Sequence, residues 1–167
     1  KCNFFYMYQK AIKVRLDLNK CQTNMFNQVF GCYRLTYNSA LEAKIDFYEL
    51  IGSYQHRLET QSWVQHRILK DSTKPYLMEM NTNVMKGCLV NLEASFSNFF
   101  RNKSFGFPKF KNKYDKQSIK FFKNSTIMKS NLLDGKIHLT TDLKDLKFNT
   151  SDKYRKILLN NIEAISS

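Results

Sequence analysis

The first apolar pattern in the chain has the two-residue period of a β-strand. Ile12, Val14 and Leu16 alternate with Lys13 and Arg15, so one face of the segment is apolar and the other carries cations. This alternation predicts a half-buried strand with a basic outer face. Lys13 and Arg15 are therefore candidates for contacts with an anionic partner.

Residues 20–52 show helical spacing instead. Asn19 and Thr23 are both suitable N-caps for this segment. One apolar stripe precedes Gly31 and a second follows it, and we expect Gly31 to interrupt the helix because glycine is a poor helix former. Gly52 is a natural stop.

Helical spacing recurs in two later segments, residues 54–70 and residues 82–100. The first ends before Lys74-Pro75, because proline disfavours a helical conformation in the residue that precedes it. Its candidates for burial are Trp63, Val64, Ile68 and Leu69. The apolar face of the second consists of Val84, Met85, Cys88, Leu89, Leu92, Phe96, Phe99 and Phe100. Its polar side carries Asn83, Lys86 and Asn91. These patterns predict a helical bundle after the first strand.

The composition changes at Arg101. Residues 101–123 contain eight basic residues and one acid, Asp115, which gives this segment a net charge of +7. The aromatic residues interleaved with these charges are Phe105, Phe107, Phe110, Tyr114, Phe121 and Phe122. This is the densest combination of cations and rings in the chain.

Short apolar pieces separated by turns follow at residues 119–122, 137–139, 146–148 and 157–159. Asp134-Gly135 is a strong turn signal between them. These pieces predict short strands, and we expect the first strand of the chain to join them in a sheet or barrel. The fold class indicated is α+β, with the helical bundle inserted into the strand-forming part.

Charge and composition narrow the class of function. The 167 residues contain 27 Lys and Arg against 14 Asp and Glu, a net charge of +13, which points to a polyanion such as nucleic acid or an anionic membrane surface. A merely lysine-rich surface is the alternative. Hydrophobic residues make up 43% of the chain, enough for a packed core, and no apolar run approaches the roughly 18 residues of a membrane span.

The sequence indicates no catalytic site in this chain. A two-metal nuclease needs converging carboxylates, whereas the acids here are spread thinly. Glu42, Asp46 and Glu49 share a helical face, a pattern more typical of solvated surface. The four cysteines and three histidines lack metal-ligand spacing, so we expect no metal and no cofactor. Scattered cysteines are typical of reduced thiols in a cytoplasmic protein.

Nucleic-acid binding explains the charge better, because lysines neutralise phosphates and release their counterions. The candidates for backbone contacts in the basic segment are Lys109, Lys111, Lys113, Lys116, Lys120 and Lys123. The rings of this segment either stack on unpaired bases or plug the core between subdomains. For Phe105, Phe107 and Phe110 we favour the core plug.

The start of the long helix offers groups that read bases. Thr82, Asn83 and Lys86 lie within about one turn of each other near its N-terminus. Such side chains either hydrogen-bond base edges in a groove or form a capping and solvated face. Periodicity alone favours the capping and solvated face.

Several residue strings stand in a characteristic order across residues 10–125. They are Lys13-Val14-Arg15-Leu16, Asn19-Lys20, Phe30-Gly31-Cys32-Tyr33-Arg34-Leu35-Thr36-Tyr37-Asn38, Asn98-Phe99-Phe100 and Gly106-Phe107-Pro108-Lys109-Phe110-Lys111. In this order they resemble the N-terminal half of the TnpB family. These proteins are RNA-guided DNA endonucleases of bacterial insertion sequences, often called transposases, and relatives of the miniature type V CRISPR effectors.

The resemblance implies a small, wedge-like β-barrel with an inserted α-helical bundle. Residues 1–19 would form the first barrel strand with an N-terminal extension, and residues 20–101 the helical recognition lobe. Residues 102–125 would be a basic-aromatic connector, and residues 126–167 the remaining, incomplete barrel strands.

The resemblance also implies a guide RNA and double-stranded DNA as partners, with no membrane partner. The positions that would read the target-adjacent motif are Thr82, Asn83, Lys86, Asn124 and Ser125. Lys13, Arg15 and Arg34 would join the six lysines named above, from Lys109 to Lys123, as contacts to the nucleic-acid backbone.

The chain departs from the family pattern in two respects. Asp17-Leu18 stands where the family often has Tyr-Pro, and the RuvC nuclease domain is missing, so magnesium is expected only with that domain. The chain begins with Lys1 rather than Met, and we expect a piece of a longer protein. The alternative is a stand-alone truncated relative that acts as a regulator or inhibitor by occupying RNA, DNA or a partner nuclease.

Overall fold

The chain divides into two compact units. A computed structural model describes residues 13–54, 56, 59–62, 64, 82–120, 134–139, 143–152, 154 and 156, apart from the side chains of Thr82 and Asn83. One unit consists of residues 20–125 and contains the long helices. The other combines residues 1–19 with residues 126–167 and contains the strands. The mixed α and β composition agrees with the fold class expected from the sequence.

Three short strands form one antiparallel sheet. They are β1 (Arg15–Asp17), β2 (Lys136–Ile137) and β3 (Leu146–Asn149), in the order β1-β3-β2. Leu16 lies opposite Phe148, and Ile137 lies opposite Leu146. The predicted pairing of the first strand with the later ones is confirmed. Within the described residues the sheet is open and does not close into a barrel.

The turn before β2 forms where the sequence predicts it. Gly135 has a φ of 67°, a left-handed conformation that glycine adopts without steric cost. Its carbonyl accepts a hydrogen bond from the Phe148 N–H at 3.0 Å, which ties the turn to β3. Leu143 and Leu146 are fully buried in this unit.

Of the two remaining predicted strands, one is wrong where the structure describes it and the other is not tested. Ile119 and Lys120 have no regular secondary structure, so the strand predicted for residues 119–122 is wrong at these two positions. Ile119 packs against the helical core instead, which removes it from the sheet. Residues 121–122 and the strand predicted for residues 157–159 lie outside the described residues.

The helix α1 (Lys20–Ile51) is continuous over 32 residues. The prediction that Gly31 interrupts it is wrong. An interior glycine costs a helix only about 1 kcal/mol relative to alanine, and the apolar residues on both sides of Gly31 pack into one core, which outweighs that cost. Gly52, with a φ of 73°, follows the helix as predicted, and its N–H donates to the Tyr48 carbonyl at 2.8 Å.

The helix α2 (Thr82–Arg101) ends one residue after the predicted helix. Its apolar face from Val84 to Phe96 is buried against α1, whereas Phe100 in the last turn is 55% exposed. Residues 59–62 and 64 are also helical, as predicted, and Val64 is fully buried in the same core. The other burial candidates of that segment, Trp63, Ile68 and Leu69, lie outside the described side chains.

Asn91, which the periodicity places on the polar side of α2, is half-buried and contacts α1. Its side-chain amide donates to the hydroxyl of Tyr33 at 2.6 Å. A buried tyrosine hydroxyl needs a hydrogen-bond partner, and Tyr33 is only 3% exposed. Burial raises the pKa of Tyr33 to about 12, although the hydrogen bond from Asn91 opposes this shift.

Two free thiols belong to the helical core. Cys32 and Cys88 are buried, whereas Cys21 is exposed. Burial raises the pKa of both buried thiols, so they stay protonated near neutral pH and react slowly. Among the described residues, no cluster of Cys, His, Asp and Glu could hold a metal ion, and no helix is long and apolar enough to cross a membrane.

Candidate nucleic-acid interface

Residues 102–120, here called the basic strap, follow α2 and run back along the two helices. The strap begins with a 3-10 turn (Lys103–Phe105), in which the Asn102 side chain accepts a hydrogen bond from the Ser104 N–H at 2.9 Å. The rest of the strap has neither helix nor strand. Its successive contacts are Phe107 with Phe96, Lys111 with Asn38, Gln117 with Arg34, and Lys120 with Gly87.

Asn38 fixes the middle of the strap to α1. Its side-chain oxygen accepts a hydrogen bond from the Lys111 N–H at 2.8 Å, and its side-chain nitrogen donates to the Lys111 carbonyl at 2.9 Å. One side chain thus satisfies both backbone polar groups of one strap residue, as a neighbouring strand would. The Lys111 ammonium lies 4.8 Å from the centre of the Tyr37 ring, a cation–π distance.

A hydrogen-bonded turn orders the next part of the strap. The Asn112 side-chain oxygen accepts from the Tyr114 N–H at 2.8 Å, and the Asp115 carboxylate accepts from the Asn112 N–H at 2.7 Å and from its side-chain amide at 2.9 Å. The Gln117 amide donates to the Asp115 carbonyl at 2.6 Å, and its oxygen accepts from Arg34 at 3.0 Å. The turn is therefore closed on itself and joined to α1.

The end of the strap approaches α2 closely at Gly87. A Cβ atom placed on Gly87 would overlap the carbonyl oxygen of Lys120. Only glycine leaves room for the strap backbone at this position. Lys86 is the residue next to this crossing and is exposed.

The exposed side of the strap is cationic. Lys109, Lys113, Lys116 and Lys120 are exposed, and the strap contains six lysines but one acid, Asp115. Both carboxylate oxygens of that acid accept hydrogen bonds from within the strap, as described above. The exposed lysines therefore face solvent around a backbone that internal hydrogen bonds hold in place.

The rings of the strap are not core plugs. Phe105 is 61% exposed, Phe110 is 55% exposed and Tyr114 is 92% exposed, so this prediction is wrong for the phenylalanines it named. Phe107 packs edge-on against Phe96, with ring centres 5.5 Å apart, but remains 47% exposed. The reason is that side chains of α1 and α2 already fill the core. Phe121 and Phe122 lie outside the described residues.

The other predicted contact residues are distributed between the two units. Arg34 is half-buried beneath Gln117 of the strap. Lys13 and Arg15 belong to the strand-containing unit, where they are exposed and line an open groove with Asn149, Thr150, Ser151 and Tyr154. Lys123, Asn124, Ser125 and the side chains of Thr82 and Asn83 lie outside the described part of the chain.

Sequence reasoning missed the residues that hold the strap in place, namely Asn38, Asn112, Gln117 and Gly87. Asn112, three residues before Asp115, is a local turn signal that could have been found. Asn38 and Gly87 carry no such signal, because their partners in the strap lie far away along the chain.

Part of the chain matches a known domain family. A sequence model described as a helix-turn-helix domain, that of the IS605 OrfB family, matches residues 7–52. A search of curated proteins found no match to the chain. In the described part of the matched range, β1 is followed by the single helix α1, and no turn divides that helix. A helix-turn-helix domain of this family suggests DNA binding, and the match supports an N-terminal region of the IS605 OrfB/TnpB family in this chain.

Proposed function

We propose that the chain is the nucleic-acid-binding part of a TnpB-like RNA-guided DNA endonuclease. In this proposal it binds the guide RNA scaffold and double-stranded DNA that carries the target-adjacent motif, and it cuts neither by itself. The strand-containing unit would correspond to the wedge-like barrel, and the helical unit to the recognition lobe. The match at residues 7–52 supports the family, and the basic strap is the observation that carries the binding function.

The strap is suited to binding a polyanion because its cations already have defined positions in the unbound protein. Lys109 and Lys113 flank Lys111, whose backbone is fixed by Asn38, and Lys116 lies inside the turn closed by Asn112 and Gln117. A backbone that is already ordered loses less conformational entropy on binding. Each lysine that then contacts a phosphate releases counterions, which makes the affinity depend on salt.

In this proposal, residues at the start of α2 read the target-adjacent motif. Lys86 is exposed beside the point where the strap crosses at Gly87, and Thr82 and Asn83 precede it in the same helix. Asn124 and Ser125 follow the strap in sequence and would complete the set. Lys and Asn side chains can hydrogen-bond base edges in the major groove.

A salt titration with matched variants tests the role of the strap. Fluorescence anisotropy would measure the affinity for a labelled random-sequence duplex between about 50 mM and about 200 mM salt. The triple variant Lys109→Ala, Lys113→Ala, Lys116→Ala should bind more weakly, with a salt slope shallower by about 0.9 per lost phosphate contact. The control removes three exposed lysines of the other unit, Lys144, Lys147 and Lys156. Equal losses in both variants would contradict a specific role of the strap.

A second titration tests the guide-RNA part of the proposal. The probe is RNA transcribed from the DNA that flanks the gene of this protein, compared with random RNA of equal length. We expect tighter binding of the flanking transcript. Equal affinity for both RNAs would contradict guide recognition and leave a non-specific nucleic-acid-binding domain.

A further inference from the structure

A group of aromatic rings lies at the end of α2 and the start of the basic strap. We call Tyr54, Phe99, Phe100, Phe105 and Phe107 the terminal aromatic cluster. Phe100 is 55% exposed and Phe105 is 61% exposed. Exposed rings in this number are uncommon on a surface without a binding partner, since a contiguous apolar patch usually marks an interaction site.

The rings of this cluster are held in fixed orientations. Phe100 stacks on the buried Phe96, with ring centres 6.0 Å apart and planes 27° apart. Tyr54 meets Phe100 edge-on at 5.6 Å, and Phe107 meets Phe99 edge-on at 5.4 Å. Tyr54, Phe99, Phe100 and Phe107 thus each have at least two ring neighbours, whereas Phe105 adjoins the Arg101 guanidinium instead.

An ion pair between the buried Lys44 and the partly exposed Glu93 supports the cluster. The Lys44 ammonium lies 2.8 Å from the Glu93 carboxylate and 4.2 Å from the centre of the Tyr54 ring. The Tyr54 hydroxyl donates to the other oxygen of Glu93 at 2.5 Å. Burial, with this hydrogen bond and the charge of Glu93, raises the pKa of Tyr54, so its hydroxyl remains a donor at physiological pH. Tyr54 is therefore locked in position at the edge of the cluster.

Cations adjoin the exposed rings. The Lys103 ammonium lies 3.7 Å from the centre of the Phe99 ring and 5.3 Å from that of Phe100. The Arg101 guanidinium lies 5.8 Å from the centre of the Phe105 ring. No acidic residue occurs between Glu93 and Asp115 in the sequence. The surroundings of the rings therefore attract negative charge.

We propose that the terminal aromatic cluster stacks unpaired bases of a single-stranded nucleic acid, with Lys103 and Arg101 on the adjoining phosphates. The proposal rests on the proposed function, because it assigns one class of ligand to a second surface of the same unit. Flat rings with an open face stack on any base, and adjacent cations neutralise the backbone between stacked bases. In a duplex the bases already stack on each other, so this surface distinguishes single strands from duplexes.

The test compares oligothymidylate with an oligomer of equal length and charge in which abasic residues replace the thymidines. The full chain should bind oligothymidylate about 5-fold to 100-fold more tightly than the abasic oligomer. Phe100→Ala and Phe105→Ala should each reduce that ratio while leaving the affinity for the abasic oligomer unchanged. Both rings are more than half exposed, and thermal unfolding of each variant checks that the fold is retained.

Phe100→Leu separates stacking from simple apolar contact, because leucine keeps apolar area but has no ring face. We expect it to behave like Phe100→Ala. Full retention of the ratio in Phe100→Leu, or equal binding of both oligomers by the wild-type chain, would overturn the proposal.

The duplex titration distinguishes this failure from failure of the proposed function. If duplex DNA binds with a steep salt dependence while the two oligomers bind equally, only base stacking is refuted. If neither duplex nor oligothymidylate binds, both proposals fall together.

Discussion

Asn38 has a larger structural effect than its position on a long helix suggests. It satisfies both backbone groups of Lys111, and so it fixes a segment that has no regular secondary structure of its own. The exposed lysines on either side depend on that anchor for their placement. A single amide side chain thereby connects the fold of the helical unit to its charge distribution.

Asn38→Ala should release the middle of the strap. The loss of two hydrogen bonds to buried or half-buried groups should lower the free energy of unfolding by about 1–2 kcal/mol, and amide exchange at Lys111 should become faster. Denaturant unfolding and hydrogen exchange would measure the two effects. Asn27→Ala, at an exposed position of the same helix, is the control. Unchanged exchange at Lys111 would contradict the role of Asn38.

The raised pKa of Tyr33 predicts how the free energy of unfolding depends on pH in the alkaline range. Burial is the main cause of the rise in its pKa from 10.0 to about 12, so the unfolded chain loses this proton at lower pH than the folded one. The unfolded state therefore binds fewer protons between these values, and the free energy of unfolding should fall as pH rises from 10 to 12. Denaturant unfolding at several pH values would measure the fall.

Tyr33→Phe provides the control for this pH dependence. It removes the titrating group, so the fall in stability above pH 10 should be shallower than in the wild-type chain. The variant also leaves the Asn91 amide without its partner, which lowers stability at all pH values. An identical pH profile in both proteins would refute the assignment to Tyr33.

At the scale of elements, the helices can be predicted from the apolar periodicity of the sequence, whereas the course of the strap cannot. The predicted extent of α2 agrees with the structure to within one residue, because its apolar residues repeat at helical spacing from Val84 to Phe100. The prediction at Gly31 is wrong because a local helix propensity of about 1 kcal/mol is smaller than the packing energy of the residues on both sides of it. The course of the strap is not predictable, because Asn38 and Lys111 are far apart in sequence. Neither residue lies in a sequence pattern that indicates the other as its partner.

Two glycine substitutions test these elements in opposite directions. Gly31→Ala should raise the free energy of unfolding by about 0.5–1 kcal/mol, because its Cβ would lie 3.8 Å from Arg34, an ordinary contact distance. Gly87→Ala should lower it by about 1–3 kcal/mol, because its Cβ would overlap the Lys120 carbonyl. Denaturant unfolding compares the two. A stabilising effect of Gly87→Ala would contradict the close approach of the strap to α2.

At the scale of the whole molecule, the cationic residues behind the net charge of +13 are concentrated in particular segments. The strap supplies six of the lysines, and Lys13 and Arg15 provide a second cationic surface at the start of β1 and just before it. The sequence predicted both segments because charge density and alternation are local properties. The sequence did not predict that the rings of the strap remain exposed, because the burial of a ring depends on which other side chains occupy the core. The α+β class follows from apolar periodicity, as the helices do. The expected barrel does not appear among the described strands, which form an open sheet.

The pairing of β1 with β3 has a consequence for synthesis of the protein. Arg15 lies opposite Asn149, so the first strand emerges from the ribosome about 130 residues before its partner exists. At roughly 5–20 residues per second, this delay lasts on the order of ten seconds. Residues 20–120 can fold during that interval, while the edge of β1 stays unpaired and open to wrong partners. Translation of β3 therefore decides when β1 is secured.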